Sequence, residues 1–179
     1  MSIKLSDHFG YKKLIKFTLP TVAMMIVTSI YSVVDGFFVS NFAGKTPFAA
    51  INLIMPVLMI LGTVGFMFGT GGTALVAMTY GEGNKEKANS YFSLLVYTAF
   101  LLGIIFAVLG FVFIRPIAVL LGAEGALLEN CVLYSRIILL ALPLYILQMM
   151  FQSFFVAAEK PNLGLIVTIS SGATNMILD

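Results

Sequence analysis

An aspartate at the end of the first apolar segment has the clearest chemical potential in this sequence. Asp35 directly follows residues 17–34, which form a run of 18 uncharged residues. A carboxylate at membrane depth costs about 3 kcal/mol on insertion scales and by default marks an ion or substrate pathway. Residues three, four and seven positions earlier share its helical face. They are Ser32, Tyr31 and Thr28, so the segment carries a polar stripe that ends at Asp35.

A second polar stripe lies in the last apolar segment. Its members, spaced by three, four and four residues, are Thr168, Ser171, Asn175 and Asp179. If every apolar segment crosses a membrane once, the first and the last cross in the same direction. Each aspartate follows the start of its segment by 18 residues. At 1.5 Å per residue, both carboxylates then lie about 27 Å above the inner boundary, with Asn175 one turn deeper.

These groups at matched depth predict either a cation site or two helix caps. Small hard cations take oxygen ligands, which two carboxylates and an amide supply. Burial and a neighbouring like charge both favour a protonated carboxyl, so the pair could also exchange a proton. The other interpretation is that a depth of about 27 Å is close to the outer interface. Each aspartate would then cap its helix and touch water.

Other positions in the apolar segments suggest bending or a cavity. Pro20 lies one turn into the first segment, where it removes a backbone hydrogen bond and predicts a kink. The kink is either static or a hinge on the helix that carries Asp35. Gln148 and Gln152 are four residues apart in the fourth segment. They are predicted to line a cavity or to form hydrogen bonds between helices.

The glycine-rich stretch GTVGFMFGTGGTA, residues 62–74, favours helix packing. Gly65 and Gly69 form a GxxxG pattern, which brings helices close together in lipid; a helix that bends during transport is the alternative. No Lys-Ser/Thr pair follows, which excludes a phosphate-binding loop. Cys131 and His8 are each the only residue of their type. The sequence therefore contains no Cys–His, Ser–His or metal-binding constellation, and we do not expect an enzyme.

The composition places these residues in an all-α integral membrane protein. The chain is 60% hydrophobic and 10% charged, whereas soluble domains carry about 25% charged residues. A net charge of +2 is too small to indicate a nucleic-acid partner. A membrane-spanning helix needs about 20 apolar residues. The charge-free runs therefore predict five spans, at about residues 14–40, 47–80, 88–114, 134–158 and 161–179.

The connections and the orientation follow from prolines and charges. The second span has no charged turn inside it and is predicted to be one long, tilted helix. Pro116 is predicted to end the third span, and IAVLLGAE after it to form a short interfacial helix. With a cytoplasmic N-terminus, seven lysines lie inside, and Lys45, Arg115 and Arg136 lie outside. That asymmetry predicts an inside N-terminus, and the short loops suit a bacterial inner (plasma) membrane.

The order of motifs resembles the N-terminal half of a multidrug and toxic compound extrusion (MATE) transporter. The resemblance covers nearly the whole chain. It rests on FTLPTVAMMIVTSIYSVVDGFFVSNFAG, the glycine-rich second span, GEGNKEKAN, LLGAE, YSRIILLALP, QSFFVAAEKPNLG and TNMILD. It implies twelve helices in two pseudo-symmetric lobes. It also implies export of drugs and organic cations by alternating access, in exchange for sodium ions or protons and without another cofactor.

The resemblance also assigns roles to residues. An aspartate on the family's first helix and an Asn-x-x-x-Asp on its fifth match Asp35, Asn175 and Asp179, which are implied to bind the coupling cation. The proline of the family's first helix matches Pro20. The sequence stops inside the fifth helix, so the C-terminal lobe that the resemblance requires as a partner is absent, and the chain is expected to be a fragment or a truncated reading frame.

Two other functions stay open at this point. One is a lipid-linked precursor flippase of the same superfamily, although the near absence of Lys and Arg in the spans argues against a pyrophosphate cavity. The other is a non-transporting membrane assembly subunit or a channel-like oligomer of the short chain.

Overall fold

A computed structural model describes residues 10–158 and 161–178 of the chain, and the regular structure in these residues is helical. The helices are α1 (Tyr11–Phe38), continued by a π-helical turn (Val39–Ala43), then α2 (Lys45–Gly81), α3 (Lys85–Leu120), α4 (Gly125–Ala157) and α5 (Pro161–Leu178). Within the described residues, four helices are long and apolar enough to cross a membrane, and α5 is a shorter fifth helix of 18 residues. The all-α membrane class is confirmed.

The second segment is a single helix, as the absence of a charged turn predicts. α2 has 37 residues and continues through Pro56. At 1.5 Å per residue it is about 56 Å long. A hydrocarbon layer of about 30 Å is much thinner, so α2 must extend beyond that layer or lie at an angle to its normal.

The expectation that Pro116 ends the third helix is wrong. α3 continues through Pro116 to Leu120, because a proline removes one backbone hydrogen bond but keeps a helical φ. The helix ends where Gly122 adopts a φ of 91°. The amides of Gly122 and Ala123 donate to the carbonyls of Val119 and Ala118, at 2.9 and 3.0 Å, which is the Schellman arrangement. The segment IAVLLGAE is therefore the end of α3 and a four-residue turn, not a separate interfacial helix.

The turn between α2 and α3 uses the same device. Gly83 has a φ of 84°, and the Asn84 amide donates to the Thr79 carbonyl at 3.3 Å. The Asn84 side chain then accepts a bond from the amide of Lys87 at 3.1 Å and caps α3. One residue thus closes one helix and starts the next, which keeps this connection short.

The chain divides into two compact units. The first, which we call the three-helix unit, comprises Ala43–Ser153 and contains α2, α3 and most of α4. The second, the α1–α5 unit, contains α1, the end of α4 and α5.

Glycines set the spacing of helices in the three-helix unit. A Cβ added at Gly65 would overlap the backbone carbonyl of Ile146 in α4. A Cβ at Gly103 of α3 would lie 2.7 Å from the Cα of Pro143, also in α4. Contacts this short do not occur between real atoms, so only glycine allows these helices to approach so closely. The packing interpretation of the glycine-rich second segment is confirmed.

Candidate functional site

The candidate site lies in the α1–α5 unit, where two glycines of α5 face α1. A Cβ added at Gly164 would lie 3.2 Å from the Met24 sulfur, and one at Gly172 would lie 3.4 Å from Cδ1 of the Tyr31 ring. Met24 is 1% exposed. The small residues therefore let the two backbones approach, as in other close helix pairs in lipid. Sequence reasoning missed this role, although Gly164, Thr168 and Gly172 form a small-residue repeat that could have indicated it.

The contacts also fix the direction and the register of the pair. Met24 and Tyr31 meet Gly164 and Gly172 in the same order along both chains, so α1 and α5 run parallel. Counting eleven residues forward from Met24 reaches Asp35, and eleven from Gly164 reaches Asn175. Because both segments are helical and rise equally per residue, the backbone of Asn175 lies at about the level of Asp35.

The polar stripe of α1 lies mostly on the face that meets α5. Thr28, Tyr31 and Asp35 are half-buried, as are the other residues of that face around Met24. Ser32 is exposed, because it is displaced by about 100° from Tyr31 around the helix. Three of the four predicted residues of α1 thus share the contact face, and Ser32 lies beside it.

The stripe of α5 divides in the same way. Thr168 is half-buried between Gly164 and Gly172, whereas Ser171 is exposed. Asn175 belongs to α5, three residues after Gly172, but its side chain lies outside the described residues, and Asp179 lies outside them entirely. The seam between the helices therefore joins a carboxylate, a phenol and two threonine hydroxyls. Oxygen atoms of these kinds can coordinate a hard cation.

A π-helical turn begins at Val39, four residues after Asp35, and was not predicted. The amide of Val39 reaches both the Asp35 and Gly36 carbonyls. The side chains of Ser40 and Asn41 donate to the Phe37 carbonyl, at 2.9 and 2.7 Å. Side chains thus supply hydrogen bonds where the regular helical pattern changes. Turns of this type are frequent at functional sites.

Pro20 lies inside α1 on the face that meets α5. It is half-buried, and α1 continues through it without a break. Two residues earlier, the Thr18 hydroxyl donates to the Leu14 carbonyl at 3.0 Å. A proline and a threonine bonded back to its own helix both favour bending, so the features that would permit a hinge occur together.

The two glutamines of α4 belong to the other unit. Gln148 is exposed and Gln152 is half-buried, and both lie within the three-helix unit.

The chain has relatives among known proteins. Its sequence matches the MatE family model over residues 20–179. It is 30% identical over 169 residues to "Multidrug export protein MepA" of Staphylococcus haemolyticus, covering 94% of this chain and 37% of that protein. The protein of the same name from Staphylococcus aureus strain MRSA252 is 28% identical, with 38% of it covered. The chain thus spans less than two fifths of the length of these curated relatives.

Solved structures share the fold. A MOP superfamily transporter from Pyrococcus furiosus matches with a TM-score of 0.84 and 21% identity, covering 92% of this chain and 36% of that one. A crystal structure of MATE in complex with MaD3S also matches with a TM-score of 0.84, at 21% identity, and 37% of it is covered. At this identity, the likeness concerns the arrangement of the helices and not the chemistry.

Proposed function

Because this chain belongs to the MatE family, we propose that its gene product exports drugs and organic cations in exchange for sodium ions or protons. The name of the Staphylococcus haemolyticus relative, a multidrug export protein, supports the export of drugs. The transport cycle requires a second lobe. We propose that the same polypeptide supplies it, in a segment equivalent to the part of the relatives that this match does not cover.

The observation that carries the proposal is the parallel seam between α1 and α5. The contact of Tyr31 with Gly172 lies one turn before Asp35 and Asn175. We propose that Asp35 and Asn175, with Asp179, bind the coupling cation. A carboxylate held in a half-buried seam can change its protonation or its cation when water enters. Thr28, Tyr31 and Thr168 would supply further oxygen atoms on the same seam.

Coupling requires that the cation and the drug stabilise different conformations. A ligand shifts a conformational equilibrium only by its difference in affinity for the two states, and two such ligands influence each other reciprocally. In the proposed cycle, the drug binds while the cavity faces the cytoplasm, and the lobes then rock to open it outward. Cation binding at the seam bends α1 near Pro20 and favours release of the drug.

Ethidium efflux from cells that express the complete gene product tests this proposal. Cells are energised first with a sodium gradient alone and then with a proton gradient alone. Asp35→Asn and Asp179→Asn are expected to lose gradient-driven efflux, while Ser32→Ala, at the exposed margin of the same helix, retains it. The gradient that supports wild-type efflux identifies the ion. Wild-type efflux in Asp35→Asn would refute the assigned role, and no efflux by well-expressed wild type under either gradient would favour the flippase.

We also propose that the N-terminus is cytoplasmic, in a bacterial inner membrane. The only cysteine, Cys131, is buried, so labelling of a new cysteine has little background. Glu82 and Glu124 are exposed residues in turns at opposite ends of α3. With an impermeant maleimide on intact cells, Glu124→Cys should be labelled and Glu82→Cys should not. The reverse pattern would invert the topology.

A further inference from the structure

The exposed surface of α2 contains two adjacent stripes of different chemistry. Each stripe has five positions separated by seven, four, three and four residues, which is the spacing of a single helical face. The first, which we call the polar stripe, consists of Asn52, Met59, Thr63, Phe66 and Thr70. The second, the apolar stripe, consists of Ile60, Met67, Gly71, Ala74 and Met78. They lie about 80° apart around the helix.

Both stripes point away from the packed face of α2. All ten residues are exposed, whereas Gly62, Gly65, Gly69 and Gly72 on the packed face are buried. The exposure is also matched in detail. Met59 of the polar stripe and Met67 of the apolar stripe are each 60% exposed, and Phe66 is 59% exposed. The stripes therefore differ in chemistry and not in accessibility.

The polar side chains direct their donors into their own helix. The Thr63 hydroxyl donates to the Ile60 carbonyl at 2.6 Å, and the Thr70 hydroxyl donates to the Phe66 carbonyl at 2.9 Å. The Asn52 amide nitrogen likewise donates to the Phe48 carbonyl at 2.8 Å. A hydroxyl has one donor and two acceptor lone pairs. Once its donor is used, it presents an acceptor to whatever lies against the stripe.

The combination of groups defines what the stripe could bind. Hydroxyl and amide oxygens, a thioether and the face of an aromatic ring are all electron-rich, and α2 contains no Asp or Glu. A ring face attracts cations, and methionine adapts to aromatic partners of different shapes. The complementary molecule is a flat, lipophilic cation that carries N–H donors. Phospholipid tails complement the apolar stripe equally well, but they leave the acceptors of the polar stripe without a partner.

From this segregation we propose that the polar stripe of α2 lines the path of the exported molecule and binds lipophilic organic cations. The inference rests on the proposed export function. It adds to the proposed cation site a second binding surface, on α2, and the polar stripe that forms this surface contains no ionisable group. Because the surface combines several weak contacts without a full charge, it accepts molecules of different shape and releases them readily.

Matched substitutions on the two stripes test the inference with ethidium, which is a flat aromatic cation with amino groups. The complete gene product is purified, and ethidium binding is followed by its fluorescence. Efflux is measured in cells at several ethidium concentrations. Met59→Ala, Phe66→Ala and Thr63→Val should each raise the Kd and KM by roughly threefold to tenfold. Met67→Ala, equally exposed on the apolar stripe, should change neither. Thermal unfolding of each variant verifies that it is folded, and Met59→Leu provides a milder variant if Met59→Ala does not fold.

The outcomes separate this inference from the export function. If wild type exports ethidium and the Met59 and Met67 variants behave alike, the polar stripe is not a binding surface, although export stands. If wild type binds ethidium and loses affinity in Met59→Ala but exports nothing, the stripe is a binding surface that lines no export path, and the export function fails. If wild type neither binds nor exports ethidium, both are refuted.

Discussion

Replacing Gly65 of α2 by alanine should destabilise the protein, whereas the same change at Gly71 should stabilise it. Both glycines lie inside the same helix. A Cβ at Gly65 would overlap the Ile146 carbonyl oxygen and lie 2.9 Å from the Ile146 Cα, whereas a Cβ at Gly71 meets nothing within 4 Å. Because the atoms at Gly65 belong to the backbone of α4, no side-chain rotation relieves the overlap. The two helices must move apart.

The size of the effect follows from two opposing terms. Alanine is more favourable than glycine in a helix by about 0.5–1 kcal/mol, and this gain applies at both positions. Overpacking a tight contact costs about 1–3 kcal/mol, and this cost applies only at Gly65. Separation of α2 from α4 also weakens the dispersion contacts between these two helices. We therefore expect Gly65→Ala to be less stable than Gly71→Ala by about 1–3 kcal/mol.

The two variants are compared in the complete gene product. Unfolding in detergent micelles is induced with sodium dodecyl sulfate and followed by circular dichroism at 222 nm, since the described residues are almost entirely helical. A difference of about 1.4 kcal/mol corresponds to a tenfold change in the unfolding equilibrium. If Gly65→Ala were as stable as Gly71→Ala, the close approach of α2 to Ile146 would not limit the size of the residue at position 65.

Three further substitutions give predictions about individual interactions. Asn84→Ala removes the cap of α3 and should lower the unfolding free energy by about 1 kcal/mol in the same titration; a capping Asn84→Asp variant should restore it. Ser135→Ala removes a buried hydroxyl that has no hydrogen-bond partner among the described residues, so stability should stay unchanged or rise by about 1 kcal/mol. A clear loss of stability would mean that the hydroxyl is satisfied. Arg115→Ala breaks the 2.9 Å ion pair with Glu129, but both side chains are exposed, so the loss should stay below about 1 kcal/mol; a larger, salt-dependent loss would contradict this.

Charge distribution predicted the fold well because a membrane span must exclude charges over a fixed length. Five apolar runs corresponded to five helices, including the long α2. The end of α3 was missed because Pro116 looked like a terminator. Termination depends on a left-handed residue with satisfied carbonyls, and Gly122 supplies it. The π-helical turn after Asp35 was also missed, because it depends on side-chain bonds from Ser40 and Asn41 that no periodicity indicates.

Spacing predicted the candidate site only in part. Helical periodicity grouped Thr28, Tyr31 and Asp35 on one face, and the structure places that face against α5. The exposed position of Ser32 could not be read from the spacing, since a stripe of about 100° is wider than the contact between two helices. The ligand set of Asp35, Asn175 and Asp179 stays a prediction.

The division into two units has a consequence for the order in which the chain can assemble. In the three-helix unit, short turns join α2 to α3 and α3 to α4, so this unit can form while synthesis continues. The pairing of α1 with α5 must instead wait until the approximately 110 residues of the intervening unit have emerged. Until then, the half-buried face of α1 with Thr28, Tyr31 and Asp35 faces lipid or other proteins of the membrane. Membrane proteases and chaperones would act on the chain while this carboxylate is exposed. Larger residues at Gly164 or Gly172, which would weaken the pairing of α1 with α5, would therefore reduce the abundance of the protein before they alter its activity.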